Sequence, residues 1–351
     1  MGLEFLFDYG LFLAKTLTLL VALLVVIVVF VGLSHKPRRG DHGHIEVFNL
    51  NDNVENITRT LKQMILNPQD MKSEAKAEKK RHKDHAKVRK QEAKAGDSER
   101  RQRVYVIDFE GDIQASAVSQ LREEVTAILS VAEESDEILV RLESPGGVVH
   151  GYGLAASQLS RIVSKKIPLT IAVDKVAASG GYMMACIADN LIAAPFAILG
   201  SIGVMAQIPN FHRLLKNKEI DVEVLTAGEY KRTLTMFGEN TDKGREKFIE
   251  ELEDVHTLFK DFVSENRTIV DTEAVATGEA WYGKRALEHR LVDALQTSDE
   301  YLFDKCQTAD VYRVKYVQDK SRVDKIMDRF TSLVTRLRGH EDIRYQGPYT
   351  F

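Results

Sequence analysis

After Arg103 the sequence breaks into short β-branched runs that alternate with amphipathic segments, and this alternation constrains the fold more than any other feature. Val104 to Phe109, Glu137 to Leu142, Leu169 to Val173 and Leu191 to Ala193 have the composition of strands. Ala117 to Ala132 and Tyr152 to Ser164 have helical spacing between them, and Gly180 to Ala188 is expected as a buried helix. Further on, the pattern predicts a strand over Val222 to Leu225, a long helix over Lys243 to Arg267 and a strand over Val311 to Val317. Strands alternating with helices of this length imply stacked βαβ units and a largely parallel sheet covered by helices, an α/β class. Short apolar strands suit such a sheet, which is buried on both faces. At 351 residues, 44% hydrophobic and 28% charged, the chain can bury a full core, which excludes both wholesale disorder and a polytopic membrane protein.

The N-terminus follows another rule. Thr16 to Leu33 carries no charge, and with the residues before it is long enough to cross roughly 30 Å of hydrocarbon as a helix. We read a short tail over residues 1–9 and one uncleaved transmembrane anchor over 10–33, because the run is longer than a signal-peptide core and lacks a good cleavage site. Lys36, Arg38 and Arg39 after the span would keep the bulk of the chain on the cytoplasmic side. A second apolar stretch, Met183 to Ala206, holds Asp189, Asn190 and Pro195, which are costly in lipid, and belongs to the folded core instead. Residues 34–71 form a juxtamembrane region, helical or irregular. Between Lys72 and Arg103 there are 13 Lys/Arg against 6 Asp/Glu and almost no large apolar residues, so 72–102 is expected as a solvated basic linker, with attraction to anionic lipid as the alternative. The whole chain has a net charge of −4, giving no reason to expect a nucleic-acid partner. Cys186 and Cys306 have no metal-site or disulfide-scaffold spacing.

No GxxxxGK[ST] loop, HExxH helix or GxSxG elbow is present. What remains are small-residue turns at strand ends, Ser144-Pro145-Gly146-Gly147 and Ala177-Ala178-Ser179-Gly180-Gly181, where open α/β folds bind ligands. Ser179 would stand at a helix start, where free N–H groups favour an alkoxide, and Gly146 and Gly147 could aim main-chain N–H groups at a developing oxyanion. The same strings also fit ordinary tight turns. A nucleophilic serine needs a base. His150, His212, His256 and His289 lack an evident acidic partner. Lys231 lies in Thr226-Ala-Gly-Glu-Tyr-Lys-Arg before an uncharged patch, and a lysine serves as base only when desolvation lowers its pKa from about 10.4 toward 7–8.

Taken together, Ser144-Pro-Gly-Gly, Ala177-Ala-Ser-Gly-Gly-Tyr, Gly200-Ser-Ile-Gly-Val, Gly228-Glu-Tyr-Lys-Arg and Gly278-Glu-Ala-Trp-Tyr-Gly-Lys-Arg-Ala-Leu-Glu-His-Arg-Leu-Val-Asp resemble peptidase family S49, across residues 103–305. The anchor and basic linker match its bacterial inner-membrane members. The resemblance implies a ClpP/crotonase-like fold of stacked βαβ units behind one transmembrane helix, and a serine endopeptidase that uses no metal or cofactor. It makes Ser179 the nucleophile, Lys231 the general base, Ser201 the group that orients the lysine amine, and Gly146 and Gly147 the lining of the oxyanion hole. Its substrate would be a peptide or protein, and a homo-oligomeric ring would let neighbouring subunits complete one another's sites. It also favours a catalytic domain outside the cytoplasm, against the charges after the span, and on balance a periplasmic domain is expected. Glu288-His289-Arg290 departs from the small residue or glycine that family members more often carry before Leu-Val-Asp, which puts the local turn in question. Trp281 and Tyr282 are expected to pack.

Residues 306–351 are expected to hold a strand, an amphipathic helix over Ser321 to Leu337 and a tail; the helix face would pack on a neighbouring subunit or touch a membrane surface. Two other functions share these features. A crotonase-like acyl-CoA enzyme would use similar glycine turns but lacks a convincing glutamate pair. A membrane scaffold could keep the fold and recruit a partner through the linker, although it has no need of Ser179, Lys231 and the turns.

Overall fold

The computed structural model describes residues 7–21, 43–67, 69–70, 76 and 100–318. Ile45 to Tyr316 forms one compact unit, and a helix over 7–21 belongs to another. Among the described residues no helix is long and apolar enough to cross a membrane. Residues 22–33 of the expected anchor lie outside the described residues, as do most of the basic linker, the helix expected over Ser321 to Leu337 and the tail.

The strands, in chain order, are β1 (Gly43–Asn49), β2 (Arg103–Glu110), β3 (Glu137–Glu143), β4 (Leu169–Val173), β5 (Val176–Ala178), β6 (Asn190–Ala193), β7 (Ile198–Gly200), β8 (Ala280–Tyr282), β9 (Ala294–Leu295) and β10 (Asp310–Gln318). Seven make the main sheet in the order β1-β10-β2-β3-β4-β6-β9. From β10 across to β9 every pairing is parallel. The period-2 alternation sends Tyr105, Ile107, Phe109, Ile138, Val140, Ile171 and Val173 to one core, and Val104, Val106, Leu139, Ala172 and Ile192 to the other. Helices Val118–Leu129 and Val149–Ser164 cover the first face, while Leu302 of helix Ser298–Thr308 and Leu50, at the start of helix Leu50–Ile65, cover the second. This is the mixed α/β architecture expected from the alternating pattern. Because β10 pairs with β2, the sheet runs past the domain end expected at residue 305.

A second, three-stranded sheet, β5-β7-β8, stands apart from the first. A bridge from Ser144 to Ala177 joins its edge to the end of β3. The strand expected over Val222 to Leu225 is absent: the segment has no regular structure, and Leu225 is 89% exposed. Its alternating apolar residues mimic a strand, but no strand among the described residues lies alongside to pair with it. The buried helix that carries Ser179 at its start is shorter than expected, Gly180–Ala185, and the long helix is Asp242–Asn266.

Candidate active site

The small sheet fixes the position of Ser179. In β5 and β7, Val176, Ala177 and Ala178 pair in parallel with Ile198, Leu199 and Gly200, and the Ser179 N–H then donates to the Gly200 carbonyl at 2.8 Å. Ser201 follows directly on Gly200, the residue whose carbonyl takes the Ser179 N–H, and like Ser179 it has left the strand, at φ 51°. Ser179 sits at φ 50°, ψ −119°, a region that side-chain-bearing residues rarely occupy. Its hydroxyl makes no capping bond to the helix that follows. That helix is only six residues long, so the macrodipole contributes less than the unpaired amides of its first turn.

The Ser144–Gly147 turn packs directly on the serine. Gly146 has φ 89°, and a Cβ there would come within 2.8 Å of the Ser179 Cβ and 2.6 Å of the Ala178 carbonyl oxygen. At Gly147 a Cβ would stand 2.1 Å from the Ile113 carbonyl oxygen. The two glycines differ in where their amides go. The Gly146 N–H donates to Ser144 Oγ at 3.1 Å, so this residue shapes the turn. The Gly147 and Gly180 N–H groups meet no acceptor among the described residues. Reasoning from the sequence named Gly147 but missed Gly180, whose amide direction depends on the unusual backbone at Ser179.

Beside Ser179 runs a narrow cleft lined by Gly147, Val149, Met183, Val204, Val255 and Phe259, without a charged side chain. Helix Asp242–Asn266 supplies Val255 and Phe259. Lys231 is not among the lining residues; it is exposed, its backbone N–H donates to Gly228 O, and no hydrogen bond joins its side chain to Ser179 or Ser201. The chain therefore gathers Ser179, Ser201, Gly146 and Gly147, and leaves Lys231 out of that cluster. No histidine replaces it among the described residues. His150 is exposed, His256 donates through Nε2 to the Ile202 carbonyl at 3.3 Å, and the His289 ring lies 4.2 Å from that of Trp281. Burial pushes the Cys186 thiol up to about 12, which keeps it from competing as a nucleophile. No group of described residues is arranged to hold a metal ion.

Bonds between distant motifs steady the helix that follows Ser179. The Tyr182 hydroxyl donates to the Leu291 carbonyl at 2.9 Å. Arg267, almost fully buried, forks onto both oxygens of Asp293 and donates through Nε to the Arg290 carbonyl. Gly200 abuts Trp281, which packs against the core as expected, and the Ser201 N–H donates to Glu279 O.

The model for the peptidase family S49 N-terminal region matches residues 4–159, and that for peptidase family S49 matches 161–312. A protein from Haemophilus influenzae named "Probable protease SohB" is 50% identical over 92% of this chain and 92% of its own. The chain belongs to peptidase family S49. A "Probable protease SohB" from Buchnera aphidicola (Schlechtendalia chinensis) is 44% identical over 86% of this chain and 100% of its own. A solved structure of a mutant "1510-N membrane-bound stomatin-specific protease" in complex with a substrate peptide aligns at TM-score 0.41 and 15% identity over 66% of this chain and 99% of that one. As an S49 member the chain is a serine-type peptidase. In the Glu288-His289-Arg290 segment, Arg290 sits at φ 59°, a left-handed position that glycine takes without strain.

Proposed function

We propose that this S49 peptidase is a membrane-anchored endopeptidase of the bacterial inner membrane, held by one span over residues 10–33 with its catalytic unit on the periplasmic side. It cuts peptides or unfolded, membrane-released segments through a Ser179–Lys231 dyad. The carrying observation is the backbone at Ser179: a strained residue with an unused hydroxyl, next to two unpaired amides and an apolar cleft. Ser179 Oγ attacks the scissile carbonyl while its proton passes to the neutral Lys231 amine. The oxyanion accepts the Gly147 and Gly180 N–H groups. Collapse breaks the C–N bond, the lysine returns the proton to the leaving amine, and water then hydrolyses the acyl-enzyme by the same route in reverse. Ser201, next in the chain to the Gly200 that accepts the Ser179 N–H, orients the lysine.

A lysine base needs a water-poor setting, which the exposed Lys231 lacks within a single chain. The segment that carries it exposes Met205, Phe211, Leu214, Leu225 and Phe237, an apolar surface that fits a neighbouring copy in a homo-oligomer. No cofactor has a part in this scheme. A crotonase-like acyl-CoA enzyme or a scaffold gives no account of why Ser179 is held under strain. The test is labelling of the solubilised, assembled protein with a serine-reactive fluorophosphonate. Uptake should be lost in both Ser179→Ala and Lys231→Ala, and labelling that persists in Ser179→Ala removes the proposal.

A further inference from the structure

Tyr152 belongs to helix Val149–Ser164 and is completely buried, as its helical spacing suggests for a core residue. Its hydroxyl has a second role. Tyr152 donates to the Asp112 carbonyl at 2.8 Å, which leaves its oxygen to accept from Ser144 Oγ at 2.5 Å. Ser144 Oγ in turn accepts the Gly146 N–H at 3.1 Å. The result is a one-way chain from the Gly146 amide through two hydroxyls to a main-chain carbonyl, with every buried hydroxyl satisfied. Burial also pushes the Tyr152 phenol above its ordinary range, which keeps it a neutral donor. The ring does as much as the hydroxyl: a Cβ on Gly180 would be 2.4 Å from Tyr152 Cγ. One side chain thus touches the residue that carries one free amide and, through Ser144, grips the residue before the other.

We propose that Tyr152 and Ser144 are positioning residues for the oxyanion hole, holding the Gly147 and Gly180 amides in the geometry that receives the transition state. The inference rests on Ser179 being the nucleophile. Tyr152→Phe keeps the ring under Gly180 and removes only the hydroxyl, so Ser144 loses its acceptor and the turn loses its fixed partner. A slackened donor pair should lower kcat about tenfold, less than the outright loss of a donor, and leave KM within about twofold. Ser144→Ala should do the same, and the double variant should lose no more than the worse single one, because all three break one chain.

The experiment uses the full-length, solubilised oligomer and the wild type, Tyr152→Phe, Ser144→Ala and Ser179→Ala. The first readout is the rate constant for fluorophosphonate labelling. The second is a pair of inhibition constants against that labelling, for a leucine-terminated peptide aldehyde and for the matching peptide alcohol. The aldehyde forms a tetrahedral adduct whose oxygen occupies the hole, whereas the alcohol does not. The proposal expects labelling to slow and aldehyde affinity to fall about tenfold together, with alcohol affinity unchanged and the melting temperature lowered by only a few degrees, as the loss of buried hydrogen bonds requires. It is overturned if labelling and aldehyde binding match wild type in both variants, or if alcohol affinity falls in step with them, the mark of a merely structural role. Undiminished labelling of Ser179→Ala, or no labelling of the wild type, sinks the nucleophile assignment itself and is recognisable as a different failure.

Discussion

Replacing Ser179 by glycine should make the protein more stable while destroying its activity. At φ 50°, ψ −119° the residue lies where a Cβ is crowded by its own backbone, and such conformations cost of order 1–3 kcal/mol. Glycine relieves that strain but gives up about 0.5–1 kcal/mol of additional chain entropy on folding. The hydroxyl forms no capping bond, and the Ser179 N–H to Gly200 O bond survives the change. The balance is a gain of about 1 kcal/mol, a rise of roughly 2–4 °C in melting temperature for a unit of this size. The control is Ser179→Ala, which removes the same hydroxyl and keeps the Cβ. Thermal unfolding of the three proteins in one detergent should place the glycine variant above both the alanine variant and the wild type, which melt together. If glycine melts no higher than alanine, Ser179 is not strained, and the argument that selects it from its backbone collapses.

Other changes have equally direct readings. Gly147→Ala would drive a Cβ to 2.1 Å from the Ile113 carbonyl and displace the proposed oxyanion donor, so kcat should fall about 10²–10³-fold with a folded protein by circular dichroism. If each site takes its serine from one chain and its lysine from a neighbour, mixing inactive Ser179→Ala with inactive Lys231→Ala under conditions of subunit exchange should restore activity; a mixture that stays dead places both groups in one chain. Burial pushes the Glu124 carboxyl up to about 7, so the folded protein holds a proton that the unfolded chain releases near 4.5. Its contribution is full below about pH 4.5 and is lost as pH rises through 7, on the order of 3 kcal/mol; Glu124→Gln should flatten that slope and still accept the Tyr316 N–H. Arg290→Gly should raise stability by about 0.5–1 kcal/mol in a denaturant titration, since Arg290 holds φ 59°.

The main sheet was legible because its strands are long enough to show a period. Residues 104 to 109 and 137 to 142 alternate between two apolar cores, and the intervening segments have helical spacing. The second sheet was not, because β5, β7 and β8 are three residues each and carry no period to read. Val222 to Leu225 deceived for the opposite reason: the pattern is present, but no described strand pairs with it. At the site, Ser179 between small residues was visible, as was the Gly146-Gly147 turn. Which amides stay free was not, since that follows from the Ser144 hydroxyl reaching back to Gly146 and from the backbone turned at Ser179. Tyr182 to Leu291 and Arg267 to Asp293 join positions far apart in the chain, and nothing local in either partner announces the other. Tyr152 stood in the sequence only as the first residue of a helical segment, because spacing is blind to what a hydroxyl reaches.

The bond that ties the end of β5 at Ser179 to the end of β7 before Ser201 has a practical side for anyone who wishes to silence the enzyme with a small molecule. Each serine directly follows the last residue of a strand, and the Ser179 N–H to Gly200 O bond ties the two strand ends together, so both are anchored in main-chain pairing. A compound that captures the first serine covalently while hydrogen-bonding to the second would meet a target of fixed span. Escape by substitution would be narrow, because moving either strand moves both hydroxyls.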